Sequence, residues 1–164
     1  TFSYRSLKTL SEISTKEAML FYRAVKLLSK LENEKGAKII TGVYKKPTLM
    51  SLFSANSRLS INLSKFGLSY PQLMALADLG LIYNQEIESA PFQTGDTANL
   101  VYQGQTIRMK IKQKDVIFTY YKFTQTGLEL SKLVSSESDS QYLQSLLSDF
   151  QGLLESNLSQ GQVV

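Results

Sequence analysis

Ser69-Tyr70-Pro71-Gln72-Leu73-Met74-Ala75-Leu76-Ala77-Asp78-Leu79-Gly80-Leu81-Ile82 is a helix with both of its ends written into it. Ser69 is an N-cap, Gln72 sits where a capping box makes its reciprocal bond, and Pro71 falls in the first turn, where its missing N–H is not needed. Leu73, Leu76 and Leu79 recur at helical spacing and supply the buried side. Gly80 tolerates the left-handed conformation that ends a helix, and Leu81-Ile82 leads the chain directly into a strand.

Downstream, period-two runs predict antiparallel strands over 82–88, 99–102, 105–113 and 116–123, separated by Pro91 to Asp96, Gly104, and Lys114-Asp115. Thr124 caps a further helix with Leu128, Leu130 and Leu133 as its apolar positions. A polar break over 135–140 precedes a last amphipathic helix, 141–158, whose stripe is Leu143, Leu146, Leu147, Phe150, Leu153 and Leu154. A tail, 159–164, closes the sequence.

Upstream, 3–13 reads as a short helix that buries Leu7, Leu10 and Ile13. Ser14-Thr15-Lys16-Glu17 is a capping box, and the helix it opens runs to about Leu31 on Ala18, Phe21, Tyr22, Val25 and Leu28. A β-branched strand over 37–44 ends at Lys45-Lys46-Pro47. One or two helical turns are expected over 48–54, and 59–66 alternates as a half-buried strand.

This order gives an α+β fold that is winged-helix-like, with helices packed on a small antiparallel sheet and an extra C-terminal helix. The domain spans 1–134, the linker 135–140, the appended helix 141–158 and the tail 159–164. The helix before Leu79-Gly80-Leu81-Ile82 takes the place of the recognition helix, and the β-ribbon that of the wing. Thr124-x-x-Gly127-x-x-Leu130 returns a helix onto the core.

Composition narrows the chemistry. The 164 residues contain no His, Cys or Trp, which excludes Ser-His-Asp and Cys-His nucleophiles, zinc fingers and disulfides. Hydrophobic residues at 43% and charged residues at 20% suit a globular chain. The run Leu73 to Tyr83 is broken by Asp78, so no membrane span is expected, and the cytoplasm is the expected location. The net charge of +4 is unevenly placed: residues 1–82 carry 12 basic and 5 acidic side chains, residues 83–164 carry 6 and 9.

Charge also separates two ways of meeting nucleic acid. The helix at Tyr70 to Leu79 offers base edges only Tyr70 and Gln72, and Asp78 repels phosphate, which argues against major-groove reading. Arg108, Lys110, Lys112 and Lys114 recur every second residue and fall on one strand face; with Lys45 and Lys46 they are the candidate nucleic-acid-binding residues. Lysines in that pattern equally describe the wet face of a guarded edge strand.

Enzyme signatures are missing. The sequence holds no phosphate-binding glycine loop, no Gly-x-Gly-x-x-Gly and no Ser-x-x-Lys, and no catalytic, cofactor-binding or metal-binding residue is expected. Glu86 with Glu88, and Glu32 with Glu34, are carboxylate pairs without a third ligand. Phe118, Tyr120, Tyr121 and Phe123 could stack bases, but packing of a central strand explains them more simply. Leu143, Leu146, Phe150 and Leu153 follow a heptad-like spacing, and are the candidate interaction surface for a protein partner or a second copy.

The N-terminal run Thr1-Phe2-Ser3-Tyr4-Arg5-Ser6-Leu7-Lys8-Thr9-Leu10, then Ile13-Ser14-Thr15-Lys16-Glu17-Ala18-Met19-Leu20-Phe21, resembles a bacterial family known as domain of unknown function 2806. The corresponding family stretch reads Phe-Ser-Leu-Arg-Thr-Leu, then a Ser-capped helix with Ala-x-x-Phe; here Tyr4 replaces Leu and Ser6 replaces Thr. The family's preceding helix, with Trp and Glu and a Pro-Gly end, is absent here. The 69–82 and 123–130 segments fit the same pattern. The resemblance implies the C-terminal part of a longer bacterial protein, and it implies no activity.

The expected function is therefore non-enzymatic protein–protein interaction. The alternative is a winged-helix nucleic-acid-binding domain of a regulator or phage-response protein, and a carboxylate-based metal hydrolase is a weaker third.

Overall fold

The computed structural model describes residues 1–32, 34–49 and 58–159. The order is α1 (Tyr4–Glu12), α2 (Thr15–Lys26), β1 (Ser29–Leu31), β2 (Ala37–Lys45), β3 (Leu59–Ser60), a 3₁₀ helix (Leu63–Phe66), α3 (Tyr70–Asp78), β4 (Ile87–Glu88), β5 (Thr97–Tyr102), β6 (Gln105–Ile111), β7 (Val116–Lys122), α4 (Gln125–Ser131), α5 (Ser140–Ser148) and β8 (Leu154–Leu158). The fold is α+β.

The expected small sheet is in fact eight-stranded and antiparallel, in the order β4-β7-β2-β1-β5-β6-β8, with β3 paired to β2 beyond the end of β1. Long-range pairings enlarge it. Ser29–Leu31, expected as the end of α2, instead bridges β2 to β5, because α2 stops at Lys26 and the chain reverses. The ribbon β5–β6, expected as a free wing, lies inside the sheet with β1 on one side and β8 on the other.

The two halves of the sheet are covered differently. β2 is buried on both faces from Ala37 to Val43, as a central strand between two layers must be. On β6 Ile107, Met109 and Ile111 are buried while Arg108 and Lys110 are exposed, so this half has one wet face.

The helix starts follow the sequence. Ser14 and Glu17 form their capping box, with the Ser14 amide donating to the Glu17 carboxylate at 2.8 Å, and Gln72 Oε1 accepts from the Ser69 amide at 2.7 Å. Gly80 ends α3 with φ +70°. Thr124 Oγ1 accepts from the Gly127 amide at 3.1 Å, and its hydroxyl donates to the Gly80 carbonyl at 2.5 Å. A Cβ on Gly127 would stand 2.0 Å from the Leu81 carbonyl oxygen, so only glycine lets α4 dock against the end of the α3 segment.

Other expectations change. The strand expected over 59–66 is two residues of β3 followed by the 3₁₀ helix, because the Asn62 side chain accepts from the Ser64 amide and Gly67 turns left-handed at φ +73°. Of 82–88, only Ile87–Glu88 forms a strand, with an isolated bridge from Ile82 to Phe123. The turns expected over 48–54 lie, from residue 50, outside the described residues, as does the tail from 160.

The largest correction is at the C-terminus. The single helix expected over 141–158 is α5 as far as Ser148, then a turn over 149–153, then β8 laid antiparallel on β6 from Ile107↔Leu158 to Ile111↔Leu154. Tyr142, Leu146, Phe150 and Leu154 join the same core cluster as Ile39, Leu100 and Phe123. The buried Tyr142 hydroxyl donates to the Ile40 carbonyl at 2.7 Å. Residues 135–140, expected as a linker, are tied to the body: the Asp139 amide donates to the Tyr102 hydroxyl at 2.8 Å, and Ser136 bonds Gln103 at 3.3 Å.

Candidate functional site

Of the proposed interaction stripe, Leu146 and Phe150 are fully buried, Leu153 is 6% exposed and Leu143 is half-buried against the core. The stripe holds α5 to its own sheet and is no free surface. Sequence spacing selected the right apolar residues but could not distinguish an intramolecular partner from an external one.

The basic residues divide into two groups. Arg108 and Lys110 stand exposed on the wet face of β6, with Asn157 and Glu155 of β8 as their cross-strand neighbours, so a carboxylate accompanies the row. Lys112 donates to the Gln151 carbonyl at 2.9 Å, and Lys114 lies in the β6–β7 turn. The Lys46 amide donates to the Asp115 carbonyl at 2.9 Å and Lys45 is registered with Val116, which brings Lys45 and Lys46 to that same turn. Lys112, Lys114, Lys45 and Lys46 thus converge at one end of the sheet.

The carboxylate pairs are engaged. Glu86 accepts from Thr41 and, at 2.6 Å, from Arg58, while Arg58 also reaches Thr119 at 3.0 Å and the two threonine hydroxyls lie 2.8 Å apart. Burial alone raises the Glu86 pKa, but Arg58, Thr41 and Thr119 together outweigh it and hold the carboxyl below its ordinary range. A cavity of about 220 Å³ opens beside this cluster, lined also by Tyr70 and Tyr121. Glu88 accepts from the Tyr44 hydroxyl at 2.6 Å, and burial followed by that bond pushes Tyr44 up to about 12.

Glu34 accepts from Lys38 at 2.5 Å and from the Tyr120 hydroxyl at 2.7 Å. Lys38 is wholly buried over the Tyr120 ring, and its pKa is lowered by that burial against the opposing pull of Glu34. Glu32 accepts from the Asn99 amide group at 2.7 Å. Among the described residues no group of three or more acidic side chains could hold a metal ion.

One surface was not read as such. The stripe expected to bury Leu7 and Leu10 leaves them 51% and 45% exposed, with Tyr4 at 83%. At 100° per residue these three lie on one flank of α1, while Arg5, Lys8 and Glu12 lie on the other and face Asp78 and Tyr83 across a groove of about 730 Å³. A polar side anchors the helix instead. Glu129 of α4 accepts from the Ser3 amide at 2.7 Å, the buried Ser6 hydroxyl at 2.6 Å and Gln125 at 2.9 Å. The Ser6 hydroxyl first, then the Ser3 amide, draw its carboxyl down to about 2. The signal was present in Ser3 and Ser6, but their partner lies more than 120 residues away.

No helix among the described residues is long and apolar enough to cross a membrane. No curated protein and no solved structure matches the chain. The family model described as "Protein of unknown function (DUF2806)" matches residues 1–147 of 164, and the chain belongs to that family.

Proposed function

We propose that this is a non-catalytic interaction domain that docks a protein partner through the apolar flank of α1. The observation that carries the reading is the exposure of Tyr4, Leu7 and Leu10 on a helix whose adjoining polar side is fixed to the body by Glu129. Apolar side chains at helical spacing that remain outside their own core are the anchors a partner helix or groove would cover. Engagement of Glu34, Glu86 and Glu88 by internal donors supports a binding rather than a catalytic role. The test is co-purification from native extract with the wild-type chain and a Leu7→Glu/Leu10→Glu variant, with circular dichroism as the folding control. A stoichiometric partner that the folded variant loses supports the reading; one that it keeps removes α1 as the surface.

A second reading is a nucleic-acid-binding domain that meets phosphate through the lysines around the β6–β7 turn, since β5–β6 is enclosed by β1 and β8 and cannot act as a free wing. It is favoured by the convergence of Lys45, Lys46, Lys112 and Lys114 at one sheet end. Duplex and single-stranded DNA titrated across a salt series tests it, since log K should fall with log salt in proportion to the phosphates neutralised. A Lys46→Ala/Lys114→Ala variant with an unchanged slope would sink this site.

A further inference from the structure

β8 is a sheet edge with an unused side. The Lys112 amide donates to the Leu153 carbonyl and the Ser159 amide to the Thr106 carbonyl, which fixes the parity of the ladder: residues 153, 155, 157 and 159 turn their backbone toward β6. Leu154, Ser156 and Leu158 therefore turn their backbone away from it; the Leu154 amide donates to the Phe150 carbonyl at 3.0 Å, which leaves the Leu154 C=O and both backbone groups of Ser156 and Leu158 outward. Among the described residues, no strand lies on that side. Edge strands are ordinarily blunted by charged side chains, Lys above all, by Pro, a bulge or brevity, and Leu154-Glu155-Ser156-Asn157-Leu158 has only the one charge of Glu155.

Two further observations fall on the same strand. Ser156 Oγ is a buried side-chain oxygen with no hydrogen-bond partner, and Leu158 is 47% exposed although it is registered with the buried Ile107. An unmade bond on a buried hydroxyl is costly, so a partner for it is expected.

We propose that β8 pairs antiparallel with β8 of a second copy, with Ser156 on the two-fold axis, joining the two sheets edge to edge. This register gives the fullest overlap that the outward-facing backbone groups allow. It sets Leu154 across from Leu158 of the second copy and covers the exposed leucine. It brings the two Ser156 side chains together across the axis, where a turn about χ1 takes each hydroxyl out of its own chain's cover and lets one donate to the other. On the wet face Glu155 meets Asn157 of the second copy, so the amide donates to the carboxylate and no like charges oppose. The strand is its own complement, as an isologous interface requires. β8 lies beyond residues 1–147, so the association belongs to this chain's own C-terminal strand and not to the matched family region. It is also independent of the α1 surface.

Pairing five residues buries well under the roughly 1,200 Å² of a standard stable interface, so the dimer is weak and concentration-dependent. Sedimentation velocity from about 10 μM to 1 mM should show the sedimentation coefficient rising with concentration, and the Ser156 and Leu158 amides should gain exchange protection over the same range. Asn157 supplies the decisive variants. Asn157→Glu places like charges across both symmetric pairs and weakens the dimer about tenfold, while Asn157→Lys places opposite charges there and tightens it about as much. Within one chain Asn157 faces Arg108, so the effects on monomer stability run the opposite way, and a merely structural influence would reverse the pattern. A chain that stays monomeric at 1 mM overturns the proposal, as does a dimer that Asn157→Glu and Asn157→Lys shift equally or not at all. If Leu7→Glu/Leu10→Glu abolishes the dimer while both Asn157 variants leave it intact, self-association belongs to α1 and the β8 pairing is wrong.

Discussion

The two edges of the sheet are finished in different ways. At β4 the ladder is two residues long, Pro91 follows closely, and side chains close the end: Glu86 is bonded by Thr41 and Arg58, and Glu88 by Tyr44. At β8 the ladder is five residues long and is held by backbone bonds and by the burial of Leu153 and Leu154. One edge is tied by polar side chains that also deter a further strand; the other is tied by the strand itself and leaves half its backbone groups outward.

If β8 is held by its ladder and its apolar side, removing it is the most damaging change. A chain ending at Leu153 loses the fully buried Leu154 and uncovers the row Ile107, Met109 and Ile111. The expected cost is about 4 kcal/mol, from one large buried side chain and several ladder bonds. Chemical denaturation at a few micromolar, where the chain is monomeric, measures it. A truncated chain as stable as the intact one would make β8 an ornament on a sheet complete at β6.

The β4 edge is attacked through a hydroxyl. Thr41→Val preserves shape but removes the donor to Glu86 and the neighbour of the Thr119 hydroxyl, both in a buried setting. We expect a loss of about 1–2 kcal/mol in thermal melts. An unchanged melting temperature would mean that Arg58 alone satisfies Glu86 and that the threonines contribute only packing.

What the sequence disclosed follows the range of the interactions. Ser14 with Glu17, Ser69 with Gln72, and Thr124 with Gly127 are bonds between residues three apart, and each was legible because the partners share one helical turn. β8 was not. Leu153, Leu154 and Leu158 fit helical spacing as well as alternation over so short a run, and the choice is made by Ile107 to Ile111, more than 40 residues upstream. The face of α1 was misassigned for the same reason, since the group that decides which side turns inward is Glu129. The Arg58–Glu86–Thr41–Thr119 cluster draws four residues from distant segments and no local pattern announces it.

Acid should separate carboxylate ties from the ladder. The Glu129 carboxyl sits at about 2 in the folded chain against an ordinary value of 4.5, so its contribution is fully present above that ordinary value and is lost as pH falls toward 2. Glu86 is shifted in the same direction. Hydrogen exchange followed from pH 5 to 2.5 should show α1 losing protection first, with β4 loosening as well, while the β6–β8 amides hold. Glu129→Gln should remove the pH dependence of α1 over this window; an α1 that still loosens with acid in that variant would place its tie elsewhere.

The smallest effect concerns the exposed row beside the open edge. Lys110 stands across from Glu155 in the β6–β8 ladder, and both are exposed, a setting in which opposite charges contribute little because water screens them. Lys110→Ala should change stability by less than about 0.5 kcal/mol at 0.15 M salt, and Arg108→Ala, opposite Asn157, by no more. Denaturant midpoints of the two variants, taken at low and high salt, decide the point. A loss above about 1 kcal/mol that salt erases would mean that side-chain charge ties β8 to β6. The open edge would then resemble the β4 edge in kind, and the outward backbone of Ser156 and Leu158 would be all that distinguishes them.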